Sequence, residues 1–193
     1  MTDYNTPVYK TEDITLGQCI VYIDPYRTPS AAGVTPSTGV GAIDECTVSV
    51  QREYLDFIQG TPQNLIEQYC IGEKGQLKIK GWEWNFNNFY KVMASGSTSA
   101  SGSEEYYDFG GEISVQKVQI RLEHRTPAGA TIYLDFWKAS GSGKLDFPFN
   151  PKDFNKFDYE YNLWRGTANW INTTLAAGEY LFKYTKVNEP SHT

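Results

Sequence analysis

Residues Gln51–Tyr90 read QREYLDFIQGTPQNLIEQYCIGEKGQLKIKGWEWNFNNFY, three strand-like runs that feed into one short helix. Leu65–Ile71 and Gln76–Trp84 flank Gly72-Glu73-Lys74-Gly75, and this glycine-bounded spacing predicts a hairpin with its tight turn there. In the second arm Leu77 and Ile79 share one face while Gln76, Lys78 and Lys80 share the other. Gly81 then passes the apolar role to Trp82 and Trp84, which marks it as a bulge site. Asn85 suits a helix N-cap, and Phe86, Phe89, Tyr90 and Met93 fall at i, i+3, i+4 and i+7 before Gly96. Core packing is the ordinary use of such an aromatic stripe.

The same alternation extends upstream. Cys46, Val48 and Val50 lie on one face and Thr47, Ser49, Gln51 and Glu53 on the other, the pattern of a half-buried strand. Beyond Arg52 the apolar positions move to Leu55 and Phe57, a change of phase that a bulge or a bend produces. Further out, Met1–Asp13 reads as a polar arm, Gln18–Ile23 as a first strand, and Asp24–Gly41, with Pro25, Pro29 and Pro36, as a long loop. Ser95–Gly111 contains SGSTSASGSEE and reads as a flexible loop. A long hairpin follows over Ile113–Ala139, turning at Thr126-Pro127-Ala128-Gly129, with Val118, Ile120 and Leu122 facing Ile132, Leu134 and Phe136. Leu145–Phe149, Phe157–Leu163 and the run Tyr180, Phe182, Tyr184 complete the expected strands. The chain, residues 1–193, reads as one mainly β domain. The expectation is a β-sandwich or partly open barrel with long hairpins and one short α-helix.

With 193 residues the chain can bury about 70% of its unfolded surface without staples. Its formal charge is −6, and Lys and Arg are scattered, so the basic footprint of a nucleic-acid binder is missing. Aromatic residues make up 15%, with 14 Tyr and 5 Trp, which favours strands and broad contact surfaces. Cys19, Cys46 and Cys70 are odd in number and spaced for neither zinc nor a disulfide framework, so they read as buried free thiols. No secretory leader and no apolar run of membrane length is legible, which implies synthesis in a reducing cytoplasm and no membrane partner. On the same ground the sequon Asn172-Thr173-Thr174 is a chance match.

No catalytic, cofactor-binding or metal set emerges. A nucleophile needs a base beside it, and the two histidines are His124 within a strand and His192 in the C-terminal tail. Gly141-Ser142-Gly143-Lys144 resembles the end of a phosphate loop, but Lys138 stands in place of the first glycine and Leu145 in place of Ser or Thr. Asp44 with Glu45, Glu104 with Glu105, and Asp158 with Glu160 are carboxylate pairs that solvated charge explains.

The central segment resembles that of the phage tail tube family, the major tail proteins of long-tailed phages. There a strand ending in RE-x-L-x-x leads through a turn and a hairpin to EWN at a helix start; Arg52, Glu53, Leu55, Glu83, Trp84 and Asn85 match here. A second matching run, TPAGATIYLDFWKASGSG, spans Thr126–Gly143, so the resemblance covers roughly Cys46–Tyr184. It implies a structural virion protein, not an enzyme, whose copies close into rings, usually hexameric, that stack into a tube passing genomic DNA without specific binding. It also implies a tape-measure protein, a tail-tip initiator and a tail terminator as partners, and no surface-decoration domain after Thr193. The polar strand faces, Thr47, Ser49, Gln51 and Glu53 with Gln76, Lys78 and Lys80, are then the lumen-facing candidates, provided acidic neighbours offset the two lysines. The competing reading is a carbohydrate-binding β-sandwich in which Trp82, Trp84, Trp137, Trp164 and Trp170 stack on sugars.

Overall fold

The run Phe157–Leu163 forms a strand over the residues its period-two pattern marks, with Phe157, Tyr159, Tyr161 and Leu163 all inward. The fold is that of a computed structural model describing residues 19–26, 36–82, 86–93, 96–111, 115–127, 129–142, 146, 149, 156–166 and 181–188. Its elements in chain order are β1 (Cys19–Pro25), β2 (Ile43–Gln59), β3 (Asn64–Gly81), α1 (Phe86–Met93), β4 (Ser97–Ser101), β5 (Glu104–Asp108), β6 (Val118–Arg125), β7 (Thr131–Gly141), β8 (Phe157–Leu163) and β9 (Lys183–Val187). The expected arm 1–13, the Asn85 cap, the sequon, His192 and most of the expected strand 145–149 lie outside the described residues. So do Trp84, Trp170 and Tyr180.

The protein is mainly β and antiparallel, as expected, with strand order β1-β6-β7-β8-β3-β2 and β9 added beside β7. β7 is the branch point. Its first half pairs β9 over Thr131–Asp135, and its last residues, Ala139–Gly141, pair β8 on the same edge. The register of β6 on β7 slips between Val118–Ala139 and Ile120–Phe136, leaving an extra residue on β7 where the two partners change over. Such a bulge bends a strand and lets it pass from one sheet layer to the next. The result is a sandwich-like, unclosed sheet. Of the two facing sets expected in the hairpin β6–β7, Ile120 pairs with Phe136 and Leu122 with Leu134, whereas Val118 pairs with Ala139 and Ile132 with His124. Its turn is closed by Thr126 N–H to the Ala130 carbonyl at 2.8 Å, with Gly129 at φ 90°.

The two ends of the strand path meet at a seam. Asp24, buried at the end of β1, accepts from Ser37 N–H at 2.8 Å and from Thr38 Oγ1 at 2.6 Å. Val40 N–H then donates to the Val21 carbonyl, and Trp82 N–H to Ala42, each near 3 Å. The segment before β2 therefore seals one end of the seam, while no ladder joins β1 to β2. Between the layers lie Val21, Ile23, Leu77, Ile79, Ile120, Phe136, Phe157, Tyr159 and Tyr161, almost fully enclosed. Each such side chain contributes about 1.5–3 kcal/mol relative to exposure. Helix α1 caps this core through Phe89, which packs on Phe157 at 5.2 Å and on Tyr107 at 6.3 Å. Among the described residues no helix is long and apolar enough to cross a membrane.

Three expectations are corrected. The hairpin of the central segment turns at Gly60–Gln63, not at Gly72–Gly75, and β3 runs straight through the glycines. Gly75 serves packing, because a Cβ there would stand 3.0 Å from Leu163 of β8. Ser95–Gly111 is not a flexible loop over its described part: β4 and β5 form a hairpin turning at Gly102, registered from Ser97–Asp108 to Ser101–Glu104. Cys70 is exposed and Cys19 and Cys46 are partly buried, so the cysteines are not uniformly interior. The phase change after Arg52 is a true irregularity, with Ile71 as the extra residue on β3. Another falls at Gly81, where Asp44 on β2 is the extra residue.

Candidate functional site

β8 pairs β3 only over Gly75–Gly81, so beyond that point β2 and β3 continue as a bare two-stranded arm. Over Gln51–Gln59 and Asn64–Lys74 it extends about 30 Å from the body. The sequence there retains the β-branched and aromatic residues of a buried strand, yet every described position from Ser49 to Ile71 is exposed. Leu55, Phe57 and Tyr69 share one face, and Tyr54, Ile58 and Leu65 the other. Leu55 is 58% exposed, Leu65 60% and the bulged Ile71 63%. Among the described residues, the outer edge of β2 is unpaired along its length, and that of β3 from Asn64 to Lys74. Apolar surface on both faces and unpaired backbone on both edges make the arm a surface that asks to be covered. An isolated hairpin in water is marginally stable at best.

Sequence reasoning placed the turn too late and so missed Tyr54, Ile58, Leu65, Ile66 and Tyr69 as surface. The signal that marks the true turn is Gly60-Thr61-Pro62.

At its root the arm merges with a polar, three-stranded face. Thr47, Ser49, Gln51 and Glu53 of β2 and Gln76, Lys78 and Lys80 of β3 are all exposed on it, with Thr47 opposite Lys78 and Ser49 opposite Gln76. The structure therefore brings all seven lumen-facing candidates together. β8 adds Asp158 opposite Lys80 and Glu160 opposite Lys78. Lys78 pairs with Glu160 at 2.9 Å, Lys80 with Glu45 at 2.6 Å and Lys74 with Glu53 at 2.8 Å. The Lys80 hydrogen bond holds the Glu45 carboxyl below its usual range, and Glu45 raises Lys80 in return. Glu53 likewise raises Lys74. Four carboxylates against three ammonium groups leave this face one net negative charge, so the lysines are offset by neighbours remote in sequence. On the opposite face Glu73 is held by Arg52 at 2.9 Å and Arg165 at 3.2 Å.

Among the described residues the remaining predicted groups do not converge on one centre. Glu45, Thr47, Lys78, Lys80, Asp158 and Glu160 border a shallow depression of about 250 Å3, in which Glu45 and Glu160 are tied to lysines. Asp44 pairs with Lys156 at 3.0 Å, and Glu104 accepts from the Tyr106 hydroxyl. His124 sits half-buried in β6, opposite Cys19 of β1 and Ile132 of β7. Ser142 N–H donates to the Glu160 carbonyl just after β7, and Gly143 and Lys144 lie outside the described residues. Trp137 is buried. Trp82 and Trp164 are partly exposed beneath Lys156 and Lys117, at opposite ends of β8 and so about 23 Å apart along the strand.

No protein-family model matches the chain, and no curated protein matches it.

Proposed function

We propose that this chain is a structural subunit that assembles with copies of itself into stacked rings, forming the tail tube of a long-tailed phage. The observation that carries the reading is the arm of β2 and β3, with both edges unpaired among the described residues and apolar side chains on both faces. A second copy is the natural cover, because an identical arm or sheet edge offers matching hydrogen-bond donors and acceptors together with apolar surface. A head-to-tail contact of that kind closes into a ring when its rotation allows and otherwise propagates. The tail tube resemblance supplies the hexameric stoichiometry and the virion as the location.

In this reading the polar face around Thr47, Gln51, Lys78 and Glu160 lines the bore. Its nearly balanced, paired charges would hold DNA phosphates weakly, so the genome passes without specific binding. The role asks for no catalytic group or cofactor. A tape-measure protein, a tail-tip initiator and a terminator are the expected partners. The test is negative-stain electron microscopy with sedimentation of the purified chain over a hundredfold concentration range. Rings or hollow tubes are expected as concentration rises. Monomers throughout, also in the presence of a tail-tip complex, would remove the reading.

A further inference from the structure

Where β1, β6, β7 and β8 lie side by side, two lysines cross over two aromatic rings. The Tyr26 N–H bonds the Lys117 carbonyl just before β6, and the Trp164 N–H bonds the Lys138 carbonyl in β7, each at 2.9 Å. Each ammonium group then reaches to the other's partner. Lys117 Nζ lies 4.3 Å from the centre of the Trp164 ring, and Lys138 Nζ lies 5.7 Å from that of Tyr26. Buried Ser140 pins the indole by accepting from Trp164 Nε1 at 2.8 Å. Val118, Ala139 and Leu163 point into the core, so Lys117, Lys138 and Trp164 stand on the outer face, with Tyr26 beside them. Among the described residues neither ammonium group has a carboxylate partner. Burial and the nearness of Lys138 hold Lys117 below its usual range, an effect that an incoming carboxylate would oppose.

The hairpin of β4 and β5 carries the opposite charge: Ser97–Asp108 includes Glu104, Glu105 and Asp108 and no lysine or arginine. Tyr107 packs inward on Phe89, so Glu104, Tyr106 and Asp108 alternate onto the solvent side, where all three are exposed. Among the described residues neither Glu104 nor Asp108 is paired with a cation. They lie about 13 Å apart along the strand, close to the three strand spacings, about 14 Å, that separate the Tyr26 and Trp164 backbones.

We propose that the outer face of the β4–β5 hairpin of one copy docks on the Lys117–Lys138 patch of the next, with Glu104 and Asp108 meeting the two ammonium groups. This contact rests on the reading that copies assemble, and it adds a polar joint to the apolar arm. A chain of net charge −6 repels its copies over most of its surface, so an uncompensated basic patch is where an acidic strand can approach. The rings beneath the ammonium groups exclude water from one side of them, which strengthens a carboxylate contact relative to an open surface pair. Hairpin and patch are different surfaces, so the contact is head to tail, as ring closure or stacking requires. The patch also adjoins the arm, because Leu163, next to Trp164, pairs with Gly75 at its root.

The test is a charge swap read by sedimentation at low salt. Lys117→Glu with Lys138→Glu gives a chain whose patch and hairpin are both acidic, and Glu104→Lys with Asp108→Lys gives one in which both are basic. Alone, each is expected to need about tenfold or more the parental concentration to associate. Mixed in equal amounts they should regain the parental level, since each hairpin then meets a patch of opposite sign, and the gain should fade with added salt. If the lysine reversal does not fold, Lys117→Gln with Lys138→Gln takes its place and should weaken association and flatten its salt dependence. Reversed chains that associate like the parent, or a mixture no better than either alone, would overturn this contact and leave the assembly reading standing. A parent chain that stays monomeric would remove both. Retention of a DNA duplex that is lost with the two lysines, without rescue in the mixture, would make nucleic acid the occupant and overturn the contact as well.

Discussion

Single residues account for why a strand with several glycines is still a strand. Gly81 lies where a Cβ would stand 2.8 Å from the Tyr159 ring, and Tyr159 is fully enclosed in the core with little freedom to move. A methyl group there overpacks a dense interior. Gly81→Ala is expected to destabilise the protein by about 1–3 kcal/mol, read as a lower urea midpoint at unchanged slope. A shift below about 0.5 kcal/mol would show that the ring gives way and that the glycine has another purpose. Arg121 and Asp135 illustrate the opposite case, a polar pair kept at a half-covered site. They face each other on β6 and β7 and bond through two nitrogens at 2.6 and 2.9 Å, which gives each oxygen of the buried carboxylate a partner.

At the scale of elements, the arm separates two kinds of strand within one hairpin. Near the body β3 is sandwiched between β2 and β8 and its apolar residues, Leu77 and Ile79, are buried; beyond Gly75 the same strand has β2 alone, and Tyr69 and Leu65 face water. The body does not depend on the arm for its core, since none of Tyr54, Leu55, Phe57 or Leu65 belongs to it. Placing Asp at both Leu55 and Phe57 should therefore leave the melting temperature of the body within a few degrees of the parent. It should also abolish higher-order species in sedimentation, because two carboxylates cannot enter an apolar contact unpaired. Assembly that survives this double change would exclude that face of the arm from the interface.

For the whole molecule the decisive property is that the sheet stays open. Among the described residues β2 and β9 each have a free long edge, the middle of the β1 edge is bonded to residues 38–40, and the β2 edge runs the full length of the arm. In the proposed tube, copies meet along such edges and the polar face points into the bore. Gln51→Lys with Glu53→Lys makes that face net positive while altering only exposed positions, so tubes should form as before. DNA release from particles carrying the double variant should slow, and more so at low salt. Release at the parental rate would place this face on the outside.

The mainly β class, the β6–β7 hairpin and its turn, the extent of β8 and the helix all follow from local pattern, because period-two and period-3.6 alternation report directly which side of an element is buried. Pattern failed where local signals compete. Gly72 and Gly75 look like a turn from sequence, but it is the packing of Leu163 from a strand some ninety residues away that requires Gly75. The serine-rich run after α1 gained strand structure by pairing with itself, and Cys19 and Cys46, from the two ends of the strand path, pack against one shared core. The identity of the polar-face residues was readable from β2 and β3, whereas the carboxylate that pairs with Lys78, Glu160, comes from β8. Tertiary structure decided those points because contact between distant segments depends on how the sheet bends, and a bend is set by bulges and packing on both faces at once.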